Sequence, residues 1–135
     1  MKFLTFKTKN DNEIRFGFKS YEKVIDIGLA AKWLYEKKDD NSFINIPLTL
    51  HKALEKWDQN FRLLKALDSK LSDFNIESFS YKESDLTILP PIINPPAFRD
   101  FYAFEQHVKA ARKLRKLDMH PDWYKIPIFY FSNPN

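Results

Sequence analysis

Cysteine is absent from these 135 residues and glycine nearly so, with two copies in the whole chain. Without cysteine there is no disulfide framework, no thiolate zinc site and no cysteine nucleophile. Two glycines leave no room for a glycine-rich phosphate loop or a dinucleotide fingerprint, which removes the commonest nucleotide-binding classes. Long apolar runs are missing as well. The N-terminal stretch Met1-Lys-Phe-Leu-Thr-Phe-Lys7 alternates apolar with polar residues, as neither a signal peptide nor a membrane span does. A soluble, cytoplasmic protein with no membrane partner is the expectation.

Aromatic residues are abundant: thirteen Phe, six Tyr and three Trp bring the apolar fraction to 44%. That is ample for a core in a chain of one ordinary domain, or of one small domain with a piece of another. The net charge of +4 is mildly basic and suits an anionic ligand without requiring nucleic acid.

Period-two alternation over Phe3–Thr8 and Ile14–Phe18, separated by the turn-forming Asn10-Asp11-Asn12, predicts a hairpin, and Val24–Ile27 adds a short third strand. Residues Gly28–Lys38 read as a helix. From Pro47 to about Asp73, Leu50, Leu54, Trp57, Phe61, Leu64, Leu67 and Leu71 recur at three- and four-residue intervals, the pattern of one long amphipathic helix facing a core. Leu86–Leu89 reads as a strand entering Pro90-Pro91 and Pro95-Pro96, where neither a helix nor a central strand continues. A domain boundary belongs there. Beyond it, Ala97–Leu117 reads as a helix with basic residues in its second half, and Ile126–Phe131 as an apolar strand. The fold class is therefore α+β: a small N-terminal β-meander with helices over 1–89, then over 90–135 a proline-rich connector with the first helix and strand of a β-rich domain that continues past these residues.

The chemistry-bearing residues gather after the prolines. Asp100 and His107 stand seven apart, about two helical turns, so a continuous helix would place them on one face with Cα atoms about 10 Å apart. Two such groups can flank a metal ion or a substrate. A solvated pair is the commoner outcome of that spacing, and the basic cluster Lys109, Arg112, Lys113, Arg115 and Lys116 is equally a complement to a helix C-terminus.

Three segments together resemble the fumarylacetoacetate hydrolase family: Leu89-Pro-Pro-Ile-Ile-Asn-Pro-Pro96, Arg99-Asp-Phe-Tyr-Ala-Phe-Glu-Gln-His107 and Pro121-Asp-Trp-Tyr-Lys-Ile-Pro-Ile-Phe-Tyr130. The resemblance covers residues 86–135, and residues 1–85 look like the divergent small domain preceding the catalytic domain in that family. It implies a metal-dependent hydrolase cleaving carbon–carbon bonds of small acidic β-dicarbonyl substrates, or a related decarboxylase, isomerase or hydratase. It implies Asp100 as a ligand of Mg²⁺ or Ca²⁺, His107 as the general base activating water, and Tyr102 and Tyr130 as substrate contacts. It also implies a basic residue shortly after the histidine to hold a substrate carboxylate. Strict offset gives Lys116, with Arg115 adjacent, and both stand as candidates.

The resemblance further implies a Glu-x-Glu pair and another aspartate in a later part of the catalytic domain, and a homodimer for the complete enzyme. One aspartate is a poor site for ions that take six or more oxygen ligands. The 135 residues are therefore expected to be inactive without the missing catalytic portion. A non-catalytic interaction module is the alternative, and a basic nucleic-acid-binding domain a weaker one. No nucleic-acid partner is expected.

Overall fold

The computed structural model describes residues 1–132. The fold is α+β. The chain divides into two compact units, Met1–Ile93 and the part from Asn94 onward, so the division falls inside the proline cluster.

The first unit is built on five antiparallel strands: β1 (Lys2–Thr8), β2 (Arg15–Ser20), β3 (Lys23–Asp26), β4 (Ser80–Lys82) and β5 (Leu86–Leu89). They lie side by side in the order β4-β3-β2-β1-β5. β4 and β5 occupy opposite ends, yet only the 3₁₀ turn Glu83–Asp85 joins them. Five strands laid flat separate their outer members by about 19 Å, whereas the four steps from Lys82 to Leu86 reach about 14 Å. The sheet must therefore curl. Its inner face closes on Phe6, Val24 and Leu86, with Leu4 and Tyr81 beside them.

Helices α1 (Ile27–Lys38), α2 (Leu50–Glu55) and α3 (Trp57–Leu71) all leave the sheet between β3 and β4. They supply the larger core, in which Phe16, Phe18 and Ile25 of the sheet meet Ile27, Ala30, Leu34, Ala53, Leu64, Leu67 and Leu71. Register explains the two faces. Phe3 lies opposite Phe18 and Thr5 opposite Phe16 on the helix side, while Leu4 and Phe6 point the other way. Asp26 ends β3 and starts α1: its carboxylate accepts from the Leu29 amide at 3.0 Å and pairs with Arg15 at 3.0 Å. One buried acid thus turns the chain from strand to helix and takes a countercharge from the neighbouring strand.

One expectation over this unit needs correction. The stripe from Leu50 to Leu71 is not one helix, because the chain breaks at Lys56, whose φ of −136° and ψ of 57° are not helical. Asn60 stabilises the break by donating to the carbonyls of Lys52 and Ala53. The break changes the phase, so Ala53 is buried and Leu54 is exposed.

The second unit is a two-stranded antiparallel ribbon, β6 (Phe98–Phe101) with β7 (Phe129–Ser132), and the intervening helix α4 (Glu105–Leu114). Residues 97–117 are thus not one helix. Phe98-Arg-Asp-Phe101 is extended because β7 pairs with it residue for residue, and its two aromatic residues suit a strand. β7 begins later than the apolar run suggested, after Pro127, which has no amide hydrogen to give a ladder. No helix among the described residues is long and apolar enough to cross a membrane.

Candidate functional site

Ribbon geometry sorts the residues around the proposed chemistry. Asp100 lies directly opposite Tyr130, and Arg99 opposite Phe131. Opposed residues of an antiparallel pair share a face, and so do residues two apart on one strand. Tyr102 extends the ladder by one step, its amide donating to the Ile128 carbonyl at 2.9 Å. Asp100, Tyr102 and Tyr130 therefore project from one face of the ribbon. The opposite face carries Arg99, Phe101, Phe129 and Phe131. There the Arg99 guanidinium lies 3.6 Å from the Phe131 ring centre and the Phe101 and Phe129 rings pack 5.0 Å apart.

His107 joins the first face from another element. It is the third residue of α4, and its imidazole meets the Tyr102 ring at 6.0 Å and 88°, an edge-on arrangement. The structure thus brings Asp100, Tyr130, Tyr102 and His107 into sequence around Tyr102, by strand pairing and one aromatic contact. The shared helix face expected for Asp100 and His107 does not exist, since Asp100 is on β6.

Arg115 and Lys116 are not brought to this group. They follow the last residue of α4, and eight residues of helix from His107 to Arg115 span about 12 Å. Lys116 has a φ of 57°, the left-handed conformation that ends the helix, and its amide bonds back to the Lys113 carbonyl. Both residues have a local role there.

Three residues that sequence reasoning passed over hold the group in place. The segment Pro121–Tyr124 is a 3₁₀ turn opened by Pro121. From it the Trp123 indole N–H donates to the Tyr102 carbonyl at 2.8 Å, and the Tyr124 hydroxyl donates to Glu105 at 2.8 Å. Glu105 also receives Lys109 at 2.6 Å. The bonds from Lys109 and Tyr124 hold the Glu105 carboxyl below its usual range. The same bond to Glu105 pushes the Tyr124 hydroxyl up. Two adjacent aromatics with polar tips, Trp-Tyr after Pro-Asp, were the available signal.

The fit to a divalent cation is incomplete. Asp100 is one carboxylate where Mg²⁺ or Ca²⁺ takes at least six oxygens, and no cluster of three His, Asp or Glu suited to a metal occurs among the described residues. A groove of about 580 Å³ exists in the first unit, lined among others by Lys19, Tyr21, Asp68 and Phe74, but it contains none of the candidate residues. Its lysine is already paired with Glu83 at 2.6 Å.

Compared with known proteins, the chain matches no protein-family model and no curated protein.

Proposed function

We propose that this chain is the N-terminal part of a cytoplasmic, metal-dependent hydrolase that resembles the fumarylacetoacetate hydrolases and cleaves carbon–carbon bonds of small β-dicarbonyl acids. The observation carrying this reading is the placement of Asp100, Tyr102 and Tyr130 on one ribbon face with His107 against Tyr102. In this reading Asp100 supplies one oxygen to a Mg²⁺ or Ca²⁺ site whose other ligands come from a polypeptide segment outside the described residues. Were Asp100 and such further ligands to hold an ion, it would supply Lewis-acid stabilisation of negative charge on the substrate oxygens. His107 takes a proton from water, and Tyr102 and Tyr130 present hydroxyls to the substrate. Arg115 or Lys116 would hold a substrate carboxylate only if that segment brings it to α4.

The test is expression of the whole open reading frame and assay against acylpyruvates and related β-dicarbonyl acids with Mg²⁺ or Ca²⁺. Turnover that falls at least a hundredfold in His107→Asn, with metal binding retained, is the expected result. No metal-dependent cleavage of any such acid, or a normal rate in His107→Asn, removes the reading. On the 135 residues alone, calorimetric titration should find no sub-millimolar Mg²⁺ or Ca²⁺ binding.

The exposed aromatic face of the ribbon favours a second reading, a non-catalytic interaction module: Phe101 and Phe131 are each more than half exposed. Self-association that persists in high salt, together with a reading frame that lacks further acidic ligands, would favour it over the hydrolase.

A further inference from the structure

We propose that Trp123 and Tyr124 are positioning residues that set the orientation of the His107 imidazole, acting as a two-point clamp on the segment between β6 and α4. The catalytic meaning of that clamp rests on the reading of His107 as a base, but its geometry does not.

Residues 102–104 connect a strand to a helix with little of their own to fix them. The residue capping α4, Phe104, offers no side-chain hydrogen bond to the free amides of the first turn. An uncapped first turn frays, and His107 is its third residue. The missing restraint comes from the 3₁₀ turn. Tyr102 is gripped at both ends of its backbone, its amide by the Ile128 carbonyl and its carbonyl by the Trp123 indole. One residue further along the turn, the Tyr124 hydroxyl grips Glu105, the first residue of α4. Tyr102 and Glu105 are the two ends of the connection, and His107 follows two residues later, edge-on to the Tyr102 ring.

The clamp is itself rigid. Pro121 opens the turn, the His120 imidazole accepts from the Asp122 amide, and the Trp123 and Tyr124 rings pack 5.0 Å apart at 89°. Each grip is a single removable donor: Trp123→Phe keeps an aromatic ring and deletes the N–H, and Tyr124→Phe deletes only the hydroxyl. A hydrogen bond of this kind is modest in free energy but directional, which is what a positioning element requires.

The experiment is NMR on the 135-residue protein, with His107 assigned against His51 and His120 by a His107→Gln variant. Edge-on packing at this distance displaces ring-proton resonances of the Tyr102–His107 pair. Trp123→Phe should return these resonances toward unstructured values and lose the nuclear Overhauser contacts between the two rings, while cross-strand contacts of β6 with β7 persist. Tyr124→Phe should give a smaller change of the same kind. Unchanged ring resonances in a folded Trp123→Phe protein overturn the clamp. Should Trp123→Phe dismantle the ribbon, Tyr124→Phe decides alone by the same readout. In the whole open reading frame product, Trp123→Phe should lower kcat on the order of 10- to 100-fold with KM little changed. Absence of any hydrolysis there would count against the proposed function and leave the NMR result standing.

Discussion

Gly17 sits on β2 where the Phe6 ring turns over the inner face of the curled sheet. A β-carbon at this position would overlap the Ile25 carbonyl oxygen and lie 2.9 Å from Phe6 Cε1. One obstacle is backbone and the other a fully buried ring, so neither can yield cheaply. Gly17→Ala should destabilise the first unit by about 2 kcal/mol or more, as overpacking does, seen as a lower urea midpoint at unchanged slope. A midpoint within error of the parent would mean the sheet relaxes there. At the other end of the chain, the bond between Tyr124 and Glu105 has a pH window. Glu105 titrates below its ordinary 4.5 in the folded state, so the stability it contributes is present above that value and lost as the pH falls through the lowered one. Tyr124 titrates above its ordinary 10.0, so its share is present below that value and lost as the pH rises. The Tyr102–His107 ring resonances should therefore report an intact clamp at neutral pH and a loosened one at both extremes. A clamp unchanged well below pH 4 would contradict the assignment of Glu105.

The helical layer shows how one side chain can redirect a periodic pattern. The leucine and aromatic spacing from Leu50 to Leu71 satisfies a single helix, and nothing in it marks Lys56 as a break. Asn60 becomes meaningful only when its amide is seen to reach the carbonyls at the end of α2, which a continuing helix would have used itself. Asn60→Ala should cost about 1 kcal/mol and weaken the angle between α2 and α3 before it affects the sheet. Urea titration with hydrogen exchange at Asn60 and neighbouring amides measures both. No loss of stability would place the break elsewhere than in this bond. On β6 the outcome was reversed. The reading of Ala97–Leu117 as one helix takes in Phe98-Arg-Asp-Phe101, whose order of apolar and polar residues does not alternate and so does not mark a strand by itself. What decides is Phe129–Ser132, thirty residues downstream, whose pairing gives each residue of β6 a partner.

For the whole molecule, charge and core are divided unequally between the two units. Residues from Asn94 onward carry seven basic and four acidic side chains, so most of the +4 resides there. The main cores reside in the first unit, and a lone two-stranded ribbon is marginal without neighbours. Residues 1–93 expressed alone should therefore fold cooperatively, with a urea midpoint close to that of the first unit in the full chain, followed through Trp33 and Trp57. A fragment that remains unfolded would show that the first unit depends on the second.

The sequence by itself determined the local and the repetitive: the β1–β2 alternation, α1, the β5 strand and a proline boundary that no regular element can cross. These follow from period and from backbone restriction, which act over a few residues. It also nominated Asp100, Tyr102, His107 and Tyr130, through residue types and their order. Only the tertiary structure decided that Asp100 belongs to a strand, that α2 and α3 are separate, and that Trp123 and Tyr124 hold Tyr102 and Glu105. Each of these depends on partners distant in sequence, and a hydrogen bond or cross-strand pair between distant residues leaves no periodic trace in either segment.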